Sequence, residues 1–164
     1  MTQSFTIRRA GPDDVPVIAR HRAAMFRDMG ELPDALLDPL VTATRQLLTV
    51  MVADGEYVGW LAAPVGRAEE VVAGAGVQLR ALLPRPAVRS RAMRTGSEAI
   101  VLNVYTEPAW RRRGAARALM DQVIAWAREQ RVGRLVLHAS PEGRALYEQL
   151  GFEPTNEMRF TGEL

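Results

Sequence analysis

Asn103-Val104-Tyr105-Thr106-Glu107-Pro108-Ala109-Trp110-Arg111-Arg112-Arg113-Gly114-Ala115-Ala116-Arg117-Ala118-Leu119-Met120 is the stretch on which the reading of this chain turns. Its apolar first part continues a strand from Glu98 to Thr106, with Ile100, Val101, Leu102 and Val104 at its heart, and Pro108 ends it. From Gly114 to about Gln130 the pattern is helical, with Ala115, Leu119, Met120, Val123 and Ala127 on one face. A strand, a tight turn and a helix that opens on small residues leave backbone N–H groups at the helix start without internal partners. Those groups and the helix dipole favour an anion, phosphate above all. Gly114 lets a bulky pyrophosphate approach the main chain, Ala115 and Ala116 keep the surface low, and Arg111, Arg112 and Arg113 add positive charge.

Working outward, Gly133 is expected to cap this helix and Leu135-Val136-Leu137 to form a buried strand. Ser140-Pro141 pairs an N-cap residue with proline at the first helical position. A short helix then runs to Leu150, Gly151 closes it, and Phe152 to Phe160 can return as a final strand. Towards the N-terminus, Pro84-Arg85-Pro86 through Gly96 is polar and rich in breakers and is expected to be a surface loop. Tyr57–Ala62 and Val71–Leu79 flank the turn-like Gly66-Arg67-Ala68-Glu69 and suggest an antiparallel hairpin. Two helices precede them. One starts after Gly11-Pro12-Asp13-Asp14 and ends at Met29-Gly30; the other runs from about Pro33 to Asp54-Gly55, where Pro39 is expected to kink or split it. Phe5-Thr6-Ile7-Arg8 reads as a short opening strand. Strands mixed with helices, with a strand–helix–strand unit at the centre, place the chain in the α/β (or α+β) class.

The whole chain, residues 1–164, is the right length for one domain. No apolar run approaches the ~18 residues of a membrane span, and the N-terminus lacks the basic and apolar segments of a secretory signal. With no cysteine, thiolate nucleophiles, disulfides and cysteine metal sites are excluded, and a cytoplasmic location is expected. All 21 basic residues are arginine, yet the formal net charge is only +2. The arginines are scattered apart from Arg111–Arg113, so a nucleic-acid-facing run is the weaker reading of that cluster. His21 and His138 are separated and read as packed or capping residues, and no zinc set is expected. Glu98 and Asn103 could touch a substrate amine or simply face solvent, and Asp28 and Glu31, between the first two helices, could meet a cationic acceptor.

Arg111-Arg112-Arg113-Gly114-Ala115-Ala116 resembles the acyl-coenzyme A motif of the GNAT superfamily of N-acetyltransferases: Arg or Gln, two residues, Gly, one residue, Gly or Ala. Ser140 to Phe152, with Leu146-Tyr147, two residues and Leu150-Gly151-Phe152, resembles that family's later motif. The resemblance is close over roughly the C-terminal half. It implies a mixed, mostly antiparallel sheet of six to seven strands flanked by about four helices. It also implies transfer of an acetyl group from acetyl-CoA, as co-substrate and without a metal, to an amine by direct attack in a ternary complex. On this resemblance Val104, Tyr105 and Thr106 pair with the pantetheine arm, and the main chain from Arg112 through Gly114, Ala115 and Ala116 to Arg117, beside Arg111, holds the pyrophosphate. Ser140 stands where many members carry a pantetheine-contacting asparagine, and Tyr147 where a tyrosine often protonates the departing thiolate. An acyl-CoA sensor without catalysis is the alternative. No nucleic-acid or membrane partner is expected. The amine, the general base, the acyl length and the assembly state, a homodimer included, stay open.

Overall fold

The computed structural model describes residues 4–87 and 90–163. Five strands, β1 (Phe5–Arg9), β2 (Tyr57–Pro64), β3 (Ala73–Ala87), β4 (Ala92–Thr106) and β5 (Arg134–Leu137), form one sheet in the order 1-2-3-4-5. The first four pair antiparallel, and β5 runs parallel to β4. Four helices, α1 (Val15–Asp28), α2 (Leu37–Ala53), α3 (Ala115–Glu129) and α4 (Pro141–Gln149), complete the fold.

Two apolar clusters assign the helices to faces. Leu119, Met120 and Val123 of α3 meet Val58, Trp60, Val77, Ala99 and Val101 on one face, with Tyr147 of α4 packed against them. On the other face Val15 and Ile18 of α1 and Leu48 and Met51 of α2 close over Tyr57 and Leu61. Pro39 neither kinks nor splits α2. It lies in the first turn, where the missing N–H costs nothing, and the preceding Asp34–Leu36 forms a separate 3-10 turn. The stretch Asp34–Ala53 is long and apolar enough, by length and composition, to cross a membrane; here Leu48 and Met51 are buried against the domain while Leu47 and Val50 are exposed.

Three expectations are corrected. The sheet has five strands among the described residues, not six to seven, because Phe152–Phe160 forms no strand: Pro154 lacks a donor, and Met158 and Phe160 find nothing to bury against. The Pro84–Gly96 segment is not simply a loop. β3 and β4 extend into a hairpin arm in which Arg85 faces Arg94 and Pro86 faces Met93, the prolines sitting among exposed residues. Finally, α3 is ended by Arg131, left-handed at φ +53°, with the Val132 N–H reaching back to the Ala127 carbonyl at 2.8 Å. Gly133 serves a close approach instead: a Cβ there would lie 3.2 Å from the Ser97 carbonyl oxygen.

The decisive irregularity is in β4. Between Leu102, opposite Gly76, and Tyr105, opposite Gly74, two residues face the single Ala75, and Asn103 is left-handed at φ +55°. This is a β-bulge, and its extra residue reverses the alternation of faces. Ala99 and Val101 point to the α3 face; beyond the bulge Val104 takes that face, while Asn103 and Tyr105 meet α1 and Tyr57. Pairing of β4 with β5 stops just before, at Val101 opposite Leu137. β5 itself ends there, and β4 runs on beyond it.

Tyr57 supports the bulge from β2, and its ring occupies the space above Gly76. A Cβ on Gly76 would lie 2.0 Å from the Tyr57 hydroxyl and 2.3 Å from its ring carbon. Gly76→Ala is therefore expected to destabilise the fold by roughly 1–3 kcal/mol through forced repacking. Denaturant unfolding checks this; an unchanged midpoint would mean that Tyr57 moves aside freely.

Candidate active site

The end of β5 at Leu137 leaves Leu102–Thr106 without a strand partner on that side. At the end of β4 the chain passes through a 3-10 turn, Pro108–Trp110, into Arg111–Gly114. Arg112 (φ +60°) and Gly114 (φ +94°) are both left-handed and curl the main chain around Arg113. Such curls gather successive N–H groups into anion-binding concavities. Gly114 is the N-cap of α3 and offers no side-chain cap, and the first helical bond runs from the Ala118 N–H to the Gly114 carbonyl at 3.0 Å. The N–H groups of Ala115, Ala116 and Arg117 thus stand before the ladder begins, at the positive end of a 15-residue helix.

Three of the four arginine side chains around this turn are held by the protein itself. The Arg111 Nε donates to the Thr106 carbonyl at 3.0 Å, and its guanidinium is ion-paired with Asp28 at the end of α1. Arg113 lies over the Trp110 ring at 5.1 Å, and Arg117 donates to Gln149 of α4. Arg112 is exposed. The charge of the turn is thus spread around its rim, and the backbone lines its floor.

Ser140 and Tyr147 come from α4. The Ser140 hydroxyl accepts the Gly143 N–H at 3.2 Å as an N-cap, which keeps its own O–H available to donate. Tyr147 packs edge-on to Phe152, ring centres 6.0 Å apart, and lies against Gly143, where a Cβ would meet its ring at 2.8 Å. Burial raises the Tyr147 pKa, so the phenol keeps its proton at neutral pH. Val104 and Tyr147 both pack against the α3-face cluster, which brings the expected pantetheine strand and the expected acid to the same side of the sheet.

The opposite face of the bulge carries a polar chain. Asn103 is buried: its Oδ1 accepts from Arg22 Nη1 at 2.7 Å, and its Nδ2 donates to the Tyr57 hydroxyl at 3.1 Å. Beyond it, His21 stacks obliquely on Tyr105 at 5.1 Å, and its Nε2 is 3.5 Å from the Glu107 carboxylate. Glu98, by contrast, is neither solvent-facing nor at the opening. It is fully buried where β4 still pairs with β5, clamped between Arg80 and Arg134 of the flanking strands. His138 is exposed and joined to Glu157 at 2.8 Å, which depresses the Glu157 pKa. Among the described residues no group of three His, Asp or Glu could hold a metal ion. The sequence reading missed Arg22. Its signal is an arginine four residues from both Ile18 and Phe26, on the sheet-facing side of an amphipathic helix.

A family model described as Acetyltransferase (GNAT) family matches residues 19–152, the span from α1 through the end of α4. The chain belongs to the GNAT acetyltransferase family. A GCN5-related N-acetyltransferase from Ralstonia eutropha JMP134 is similar in structure, with a TM-score of 0.82 and 32% identity over 96% of this chain and 98% of that one. A protein of Clostridium acetobutylicum described as a predicted acetyltransferase, solved with acetyl-CoA, shares the fold at a TM-score of 0.78 and 24% identity over 97% of this chain and 96% of that one. Among curated relatives, an aminoglycoside N(6')-acetyltransferase type 1 of Stenotrophomonas maltophilia is 26% identical over 93% of this chain and 89% of its own length. The protein is accordingly an acyltransferase that transfers an acetyl group, and its family draws that group from acetyl-CoA.

His21 gives the site a pH signature. Burial first, and Arg20 second, push its pKa down to about 4 from 6.5, and these outweigh the long contact to Glu107. The unfolded chain therefore takes up this proton before the folded one. The stabilisation is complete above about pH 6.5 and is lost as the pH falls towards about 4. Urea unfolding at pH 7 and pH 5 should show a loss of up to roughly 2 kcal/mol that is missing in His21→Leu. The same acid sensitivity in the variant would assign it to another group.

Proposed function

We propose that this enzyme acetylates a primary amine by direct attack on the thioester of acetyl-CoA, with no acyl-enzyme. The observation that carries the proposal is the opening beside the bulge: β4 loses its β5 partner after Val101 and leads, within one turn, into the uncapped start of α3. The pantetheine arm, an extended chain with amide groups, fits the unpaired edge at Val104, Tyr105 and Thr106 as an added strand. The pyrophosphate fits the main chain from Arg112 to Arg117. Together they fix the thioester near the bulge, and alignment of two bound substrates supplies much of the rate.

The amine nitrogen attacks the carbonyl carbon while a β4 N–H polarises the carbonyl oxygen. The C–N bond forms, the C–S bond breaks, and the thiolate leaves with the electron pair. Tyr147, kept protonated by burial, donates its proton to that sulfur, and the proton shed by the amine passes through water to restore the phenol. With the chain's thiols absent altogether, no cysteine could carry the acetyl group.

Tyr147→Phe keeps the ring and its packing and removes only the proton donor. Turnover is expected to fall about 100- to 10,000-fold, with acetyl-CoA affinity near normal. Single-turnover rates and calorimetry separate the two. A loss below about threefold would transfer the acid role to water; weakened acetyl-CoA binding in step with turnover would make Tyr147 a binding residue.

A further inference from the structure

Arg22 is a partly buried cation at this site with no acidic partner among the described ion pairs. Asp28 is taken by Arg111, and Glu107 lies beside His21 and Arg20. Among the described ion pairs no carboxylate faces Arg22. Arg22 is partly buried, and burial lowers its pKa; an arginine nonetheless keeps its charge in a protein. One nitrogen, Nη1, is spent on Asn103, the bulge residue beside the reacting strand. A guanidinium carries five N–H donors in a planar fork, so two adjacent donors remain for a bidentate partner. Holding a half-desolvated cation beside a reaction centre is costly unless something anionic arrives there.

On its other side Arg22 lies over the Phe26 ring, 4.9 Å from its centre. Phe26 is also the near wall of a cleft of about 340 Å³ between α1 and the start of α2, otherwise lined by Glu31, Leu32, Leu36, Pro39 and Leu40. That volume is of small-ligand size. The cleft is apolar apart from Glu31, which repels a second carboxylate at that end. A polycation such as an aminoglycoside would meet Arg22 at the bulge and mostly hydrocarbon beyond it.

We propose that the acceptor is a carboxylate-bearing amine with an apolar side chain, of amino-acid size. Its carboxylate binds the free edge of the Arg22 guanidinium, its side chain enters the Phe26–Leu40 cleft, and its amino group is thereby turned to the thioester at the bulge. The proposal rests on the direct-attack reading above, and its test is built to fail separately.

Thiol release from acetyl-CoA is measured with matched pairs, each an L-amino acid and its decarboxylated amine: leucine against 3-methylbutylamine, phenylalanine against phenethylamine. An aminoglycoside serves as the polycationic probe, and acetyl-CoA affinity is measured by calorimetry alongside. The expected result is a preference of roughly tenfold or more in kcat/KM for the acid of at least one pair. Arg22→Gln, which removes the charge and is too short to reach Asn103, should erase that preference by raising KM for the acid by more than it weakens acetyl-CoA binding. Arg22→Lys should restore part of it. Better turnover of the decarboxylated amine or the aminoglycoside overturns the proposal, as does an acid preference that survives in Arg22→Gln. Acetyl-CoA binding with no turnover of any carboxylate-bearing amine overturns it while leaving the cofactor assignment standing. Absence of acetyl-CoA binding overturns both.

Discussion

One residue too many in β4 organises this molecule. Asn103 holds a left-handed backbone, at φ +55°, that few side chains adopt, and asparagine is among those that tolerate it. Both ends of its buried amide are engaged, by Arg22 from α1 and by Tyr57 from β2, so the irregularity is fixed from two separate elements. Breaking either bond would leave a buried polar atom unpaired, which costs about 1–3 kcal/mol. The bulge is thus over-determined by its surroundings, as strained positions at functional sites have to be.

Its consequences divide the two faces by task. Just before the bulge, from Glu98 to Val101, β4 is an inner strand paired on both sides, and its buried acid, Glu98, is neutralised by arginines in register on the neighbouring strands. After it, Val104 turns to the face of α3 and α4, where Tyr147 packs, while Tyr105 turns to α1 and His21. Side chains that meet α3 and α4 and side chains that meet α1 therefore diverge at a single peptide. The Arg111–Asp28 pair and the bond from Arg111 to the Thr106 carbonyl tie the far ends of both sides together across the turn.

Much of this was legible in the sequence because local chemistry announces it. The turn at Arg111–Ala116, the strand before it and the helix after it follow from proline, glycine and a run of helical periodicity, and each is where it was expected. Ser140 as N-cap, and Gly30, Gly55 and Gly151 at positive φ after their helices, were equally plain. What was not legible depends on partners far along the chain. A bulge is decided by pairing, so Asn103 looked like any polar strand residue, and Arg22 acquires its meaning only 81 positions away from it. The hairpin arm hid behind Pro84 and Pro86, since proline argues against a strand unless the strand is exposed. The Phe152–Phe160 strand failed in the opposite sense: local pattern was present, but no sheet edge received it.

The central claim is that acetyl-CoA lies along β4 beyond the bulge with its pyrophosphate at the start of α3. Hydrogen–deuterium exchange with and without saturating acetyl-CoA tests it most directly. Slowed exchange concentrated at residues 103–106 and at the main chain of 112–117 is the result this account requires. Protection that spares both segments while the ligand is demonstrably bound would contradict it.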